Sequence, residues 1–119
     1  MIRRAAVADL FYAGSARALR PQVKDLVPER EEKTAAVGVV VPHAGYNYSG
    51  AVAGAVYARR DPPESCVVLG PNHTGLGAAA AIMISGTWGT PLGEASIDTE
   101  LARAILERSR VLEEDDRAH

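Results

Sequence analysis

Two short β-branched runs restrict this chain more than anything else in it. Val37-Gly38-Val39-Val40-Val41 is stopped by Pro42, and His43 follows at once. Val67-Val68-Leu69 is stopped by Gly70-Pro71, and Asn72-His73 follows. Residues 36–41 are apolar on both faces, as strands are in a covered parallel sheet, and proline cannot continue a central ladder. The sequence predicts strands at 36–41 and 66–69, each handing a histidine to the loop beyond its end.

Between the runs, Ser49 is a candidate N-cap for a helix over 50–60. Val52, Val56 and Tyr57 share one face of it, and Ala51, Gly54 and Ala58 are small enough for close packing. Asp61-Pro62-Pro63 ends it. Strand, helix and strand make one βαβ unit, whose right-handed crossover sets the strands parallel. Both histidine loops would then rise from the carboxyl edge of the sheet, where open α/β sheets bind ligands. Neighbouring strands lie about 4.8 Å apart, so the two imidazoles can converge on one ion.

Two neutral imidazoles suit Fe(II), Zn or Cu. With a carboxylate and open positions they would serve iron and oxygen chemistry; in a closed four-ligand set they would hold structural zinc. Neither choice is made by spacing, and a histidine beside Pro or Asn is also an ordinary hydrogen-bonded loop residue. No third ligand is evident. Cys66 begins its strand at the opposite edge and reads as a small buried hydrophobe, Asp98 reads as a helix cap, and His119 is the last residue. Tyr46 and Tyr48 either line the edge or pack the loop. Asn72 either orients His73 or shapes the turn. Trp88 is a pocket wall or a core lid.

The rest of the chain reads as scaffold. Phe11-Tyr12-Ala13-Gly14 sets two aromatics against a turn glycine. Ser15 caps a predicted helix over 16–27, with Leu19, Val23, Leu26 and Val27 on one face and Pro21 as a kink or a later start. Residues 28–33 form a charged loop, 79–84 a third strand, and 85–93 a loop holding Trp88. A last helix follows Asp98, with Leu101, Ile105 and Leu106 inward.

With 119 residues the chain is one small domain or part of a larger one. A net charge of −2 gives no electrostatic case for nucleic acid or an anionic membrane. One cysteine excludes an internal disulfide and fits a reducing compartment. No apolar run approaches a membrane span. Asp9, close behind Arg3-Arg4, breaks any signal-peptide core, so a cytoplasmic protein is expected. Gly75-Leu76-Gly77-Ala78-Ala79-Ala80 fits G-x-G-x-x-A superficially but leads into a β-like run rather than a helix, so it is not a dinucleotide fingerprint.

Four blocks carry a family likeness: Phe11-Tyr12; Pro42-His43-Ala44-Gly45-Tyr46 with Tyr48-Ser49-Gly50; Gly70-Pro71-Asn72-His73; and Trp88-Gly89-Thr90-Pro91-Leu92-Gly93 followed by Asp98. In this order and spacing they resemble the Memo family, whose prokaryotic members are called AmmeMemoRadiSam system protein B. The likeness runs over essentially all of residues 1–119, as the N-terminal part of a single Memo-like domain.

It implies a three-layer α/β fold with helices on both faces of a mostly parallel sheet, similar to class III extradiol ring-cleaving dioxygenases, which are non-haem iron enzymes. It implies a divalent metal, Fe(II) foremost with Cu or Zn as alternatives, held by His43 and His73 and by a later cysteine that would fall beyond residue 119. Tyr46 and Asn72 would be pocket or supporting residues. His119 resembles the histidine just ahead of the family's Glu-His-Ser block, so this chain alone is expected to be inactive. AMMECR-domain and radical SAM proteins are the implied partners. The alternative reading is a non-catalytic module that holds a peptide or protein on the same fold.

Overall fold

A computed structural model describes residues 1–119. The chain divides into two compact units: Ala5–Glu64, and Met1–Arg4 together with Ser65–His119. Both helices and strands are present, in an α/β arrangement with mixed strand pairing.

The unit Ala5–Glu64 holds α1 (Ala16–Leu26) and α2 (Tyr46–Tyr57). α1 starts where the sequence predicts, because Ser15 Oγ accepts the Ala18 N–H at 3.4 Å and satisfies one of the orphan donors of the first turn. Pro21 lies inside the helix and does not delay its start. Leu19 is the buried anchor, at 3% exposure. The helix stops at Val27, whose N–H reaches Val23 O, because the following Pro28 disfavours helical backbone in the residue before it.

α2 begins four residues earlier than expected, so the Ser49 cap is corrected. Gly45 is the N-cap and has no side-chain bond. Ser49 is buried in the first turn, its Oγ donating to Ala44 O at 3.0 Å. The Phe11 carbonyl takes the place of a side-chain cap, accepting the Tyr46 N–H at 2.8 Å. Gly50 and Gly54 let α2 close on Leu26. At the other end, Lys33 Nζ donates to Ala58 O at 3.1 Å and the Thr34 N–H to Arg59 O at 2.8 Å. Arg60 donates through Nη1 to Thr34 O, and through Nη2 to Ala36 O at 2.7 Å. Lys33 thus answers the carbonyl of the C-cap residue Ala58 and suits the helix dipole, while Arg60 ties the helix end to the 34–36 segment.

In the other unit, β1 (Ile2–Arg3) pairs parallel with β3 (Thr87–Thr90), which pairs antiparallel with β4 (Gly93–Ser96). β2 (Ala81–Ile82) pairs parallel with β5 (Glu113–Glu114). The segment 85–93, expected to be loop, is therefore mostly a hairpin. Its Pro91-Leu92 turn is closed by Thr90 Oγ1, which donates to Gly93 O at 2.9 Å and accepts the Leu92 N–H at 3.2 Å. Gly93 sits at φ 141°, a conformation that favours glycine. α3 (Thr99–Arg108) is capped as predicted, Asp98 Oδ1 accepting the Leu101 N–H at 3.0 Å. The third predicted strand shortens to β2, and Met83 and Ile84 just after it are buried, with Ala102 of α3 the other buried apolar residue of this unit.

The strands expected at 36–41 and 66–69 do not form. Both stretches are irregular and take part in no strand pairing. Val37 is 111% exposed, Val40 95% and Leu69 91%. A strand is made by its neighbours rather than by its own composition, and no other segment of this chain pairs with either run. The parallel βαβ unit is absent for the same reason, and the sheets are short and mixed instead of one mostly parallel layer.

Candidate functional site

His43 is exposed and stands two residues before the Gly45 cap of α2, in the unit Ala5–Glu64. His73 is exposed in the loop 70–77 of the other unit. Each still sits where its motif places it, just past an apolar run, but no sheet edge presents them, since neither run is a strand. No three His, Cys, Asp or Glu side chains of the chain come together as a metal-binding group.

The loop that carries His73 is built by Asn72. Its Oδ1 accepts the Thr74 N–H at 3.0 Å, the Thr74 hydroxyl at 2.9 Å and the Gly75 N–H at 3.0 Å. Its Nδ2 donates to Leu76 O at 2.7 Å. An amide that bonds the backbone two and three residues on is an Asx turn. Asn72 therefore shapes the turn, and Gly75 and Gly77, at φ 68° and 75°, accept the left-handed conformations this demands.

Tyr46 opens α2 and lines a groove of about 270 Å³ with Gln22, Asp25, Leu26, Asn47, Tyr48 and Ala51. Its ring lies 5.3 Å from that of Tyr12, tilted by 38°, a favourable aromatic arrangement. Burial, and then the neighbouring Tyr12 and Tyr57, push the Tyr46 hydroxyl above its ordinary pKa, so it stays protonated. Tyr48 is largely exposed and lines the same groove.

Cys66 is exposed, a correction to its expected burial: its run never enters a sheet. Trp88 lies half-buried in β3, where Arg3 covers its ring at 4.5 Å. The Trp88 Nε1–H meets Met83 Sδ at 3.2 Å, and the His119 imidazole lies 6.0 Å from the indole, centroid to centroid. The stack of Arg3, Trp88 and His119 was not legible in the sequence, because it follows from β1 pairing with a hairpin that read as loop. The tail also holds more order than its charge suggests. Asp115 Oδ2 accepts the Ala78 N–H at 3.0 Å and Arg117 Nη2 at 2.8 Å.

No helix is long and apolar enough to cross a membrane. A family model described as Memo-like protein matches residues 3–119. Among curated relatives, a MEMO1 family protein of Methanopyrus kandleri is 42% identical, over all of this chain and 47% of its own length. One of Methanothermobacter thermautotrophicus is 40% identical, again over all of this chain and 47% of the relative. One of Pyrococcus furiosus is 44% identical over all of this chain and 42% of the relative. The chain spans about half the length of the curated relatives it matches. With both histidine motifs inside the matched residues, the chain belongs to the Memo-like protein family.

Proposed function

We propose that this chain supplies His43 and His73, the first two ligands of a divalent metal site in a Memo-like protein related to the class III extradiol dioxygenases. The observation that carries the reading is the match of residues 3–119 to the family, which takes in both histidine-bearing motifs. The site is completed by a cysteine from the portion that the longer relatives carry. Iron is the first choice, with copper and zinc the alternatives that imidazole and thiolate donors also suit. Such a metal supplies Lewis acidity or redox chemistry when bound.

This chain's own residues position the site. Asn72 fixes the turn that holds His73. The Gly45 cap, anchored by the Phe11 carbonyl, sets the start of α2 just after His43. Tyr46, whose phenol stays protonated, lines the groove at the start of α2. The intact fold is a three-layer α/β sandwich with a mostly parallel sheet, and AMMECR-domain and radical SAM proteins of the same system are its partners.

Metal competition with a chromophoric chelator tests the reading, using Fe(II), Cu(II) and Zn(II) against the chain, His43→Ala and His73→Ala. Each variant is expected to lose at least about tenfold in affinity, since even a supporting residue is worth that much. Unchanged affinity in both variants overturns the assignment.

A further inference from the structure

The groove between the end of α1 and the first turn of α2 holds about 270 Å³ and lies wholly within the unit Ala5–Glu64. Its wall combines Tyr46 and Tyr48 with Asp25 and the amide residues Gln22 and Asn47. No lysine, arginine or histidine lines it, so Asp25 gives the wall its only formal charge. The ion pairs Lys33–Asp61 and Arg117–Asp115 do not use Asp25, and its carboxylate faces solvent in the last turn of α1.

Each of these features selects for a cation of one kind. A tyrosine ring presents a negative face that attracts an ammonium group. The Asp25 carboxylate adds a counter-charge, and the C-terminal end of α1 adds the negative pole of its dipole. An anion would find no basic side chain here, and the Tyr46 N–H at the start of α2 is already taken by the Phe11 carbonyl. A bare metal ion would need several donors converging at once, and no such group forms. Two parts of the wall are set before any ligand arrives. Tyr12 packs 5.3 Å from the Tyr46 ring, and Gln22 Oε1 accepts the Ala13 N–H at 3.0 Å. Such preorganisation lowers the ordering cost of binding.

We infer that this groove is a binding site for an organic ammonium group, with Asp25 as its counter-charge and the rings of Tyr46 and Tyr48 as the faces that meet its N-alkyl carbons. The site uses neither histidine, so it stands apart from the metal reading.

Titration of the chain with choline tests it, followed through the NMR shifts of the Tyr46 and Tyr48 ring protons. A chelator is present throughout, so the outcome is independent of that of the histidine variants. Choline is expected to move both sets of ring signals saturably. Its uncharged isostere, with a tert-butyl group in place of the trimethylammonium, is expected to bind at least about fivefold more weakly. Asp25→Asn and Tyr48→Ala, both at exposed positions where the fold tolerates change, are each expected to weaken choline by about two- to fivefold. The methylamide of α-N-acetyllysine, titrated in parallel, separates a free ligand from a lysine side chain as the source of the ammonium group, the tighter of the two naming it. Equal binding of choline and its isostere overturns the inference. So does the absence of a saturable shift at these rings, or full affinity in both variants.

Discussion

Gly54 lies directly against the Leu26 carbonyl: a Cβ built on it would fall 1.9 Å from that oxygen and 2.6 Å from the carbonyl carbon. Helix propensity alone favours Ala over Gly by about 1 kcal/mol. A backbone carbonyl cannot swing aside as a side chain can, so the clash outweighs the propensity. Gly54→Ala is expected to destabilise the unit Ala5–Glu64 by about 1–3 kcal/mol. Thermal denaturation followed by circular dichroism reads this directly, and a raised Tm would contradict the packing of α2 on α1.

Met83 is 4% exposed and accepts the Trp88 indole N–H at 3.2 Å. Met83→Ala removes buried volume and that partner together, at a cost of about 2–5 kcal/mol. Trp88 is the chain's single tryptophan, so its fluorescence reports the change without ambiguity. A red shift in emission together with the loss of stability is the expected result.

Arg117, through hydrogen bonds from its side chain and its backbone, holds the Asp115 carboxyl down to about 2. In the unfolded chain an aspartate titrates near about 3.9. The folded protein therefore binds that proton more weakly, and ionised Asp115 favours the fold. This contribution is complete above about pH 4 and is lost as the pH falls toward about 2. Arg117→Ala should move the Asp115 midpoint upward in a carboxyl-carbon NMR titration. A wild-type midpoint near 4 would show that the contact does not persist in solution.

Asn72→Ala separates local from global roles. The residue is exposed, and its partners all lie within four positions along the chain. Global stability should change by less than about 0.5 kcal/mol, whereas amide exchange at Thr74, Gly75 and Leu76 should accelerate. Unaltered exchange there would mean that Gly75 and Gly77 hold the turn without it.

Where the sequence was read correctly, the determinant was local. Ser15 and Asp98 cap helices through bonds to residues three positions on, so their neighbours in sequence suffice to find them. The start of α2 was misplaced because its true partner, the Phe11 carbonyl, is remote in sequence. The hairpin at Thr87 to Ser96 hid behind Gly and Pro, which usually mark loops, and it forms with β1 alongside. Val37 to Val41 read as strand on composition, yet strand formation needs a partner, and the chain pairs none with it. For the candidate site, the sequence marked His43, His73, Tyr46 and Asn72. It left the role of Asn72 open between orienting His73 and shaping the turn, and the hydrogen bonds show that it does shape the turn.

The parallel pairing of Ile2 with Thr87 and Arg3 with Trp88 imposes a timetable on folding. A nascent chain emerges N-terminus first, so Ile2 and Arg3 must wait for the ribosome to deliver a partner more than eighty residues later. The stretch Ala5–Glu64 is complete well before then and can compact while translation continues. Closing so long a loop costs chain entropy that the local contacts of Ala5–Glu64 do not. The Arg3 lid over Trp88 thus reports that the N-terminal strand has met the hairpin made so much later in the chain.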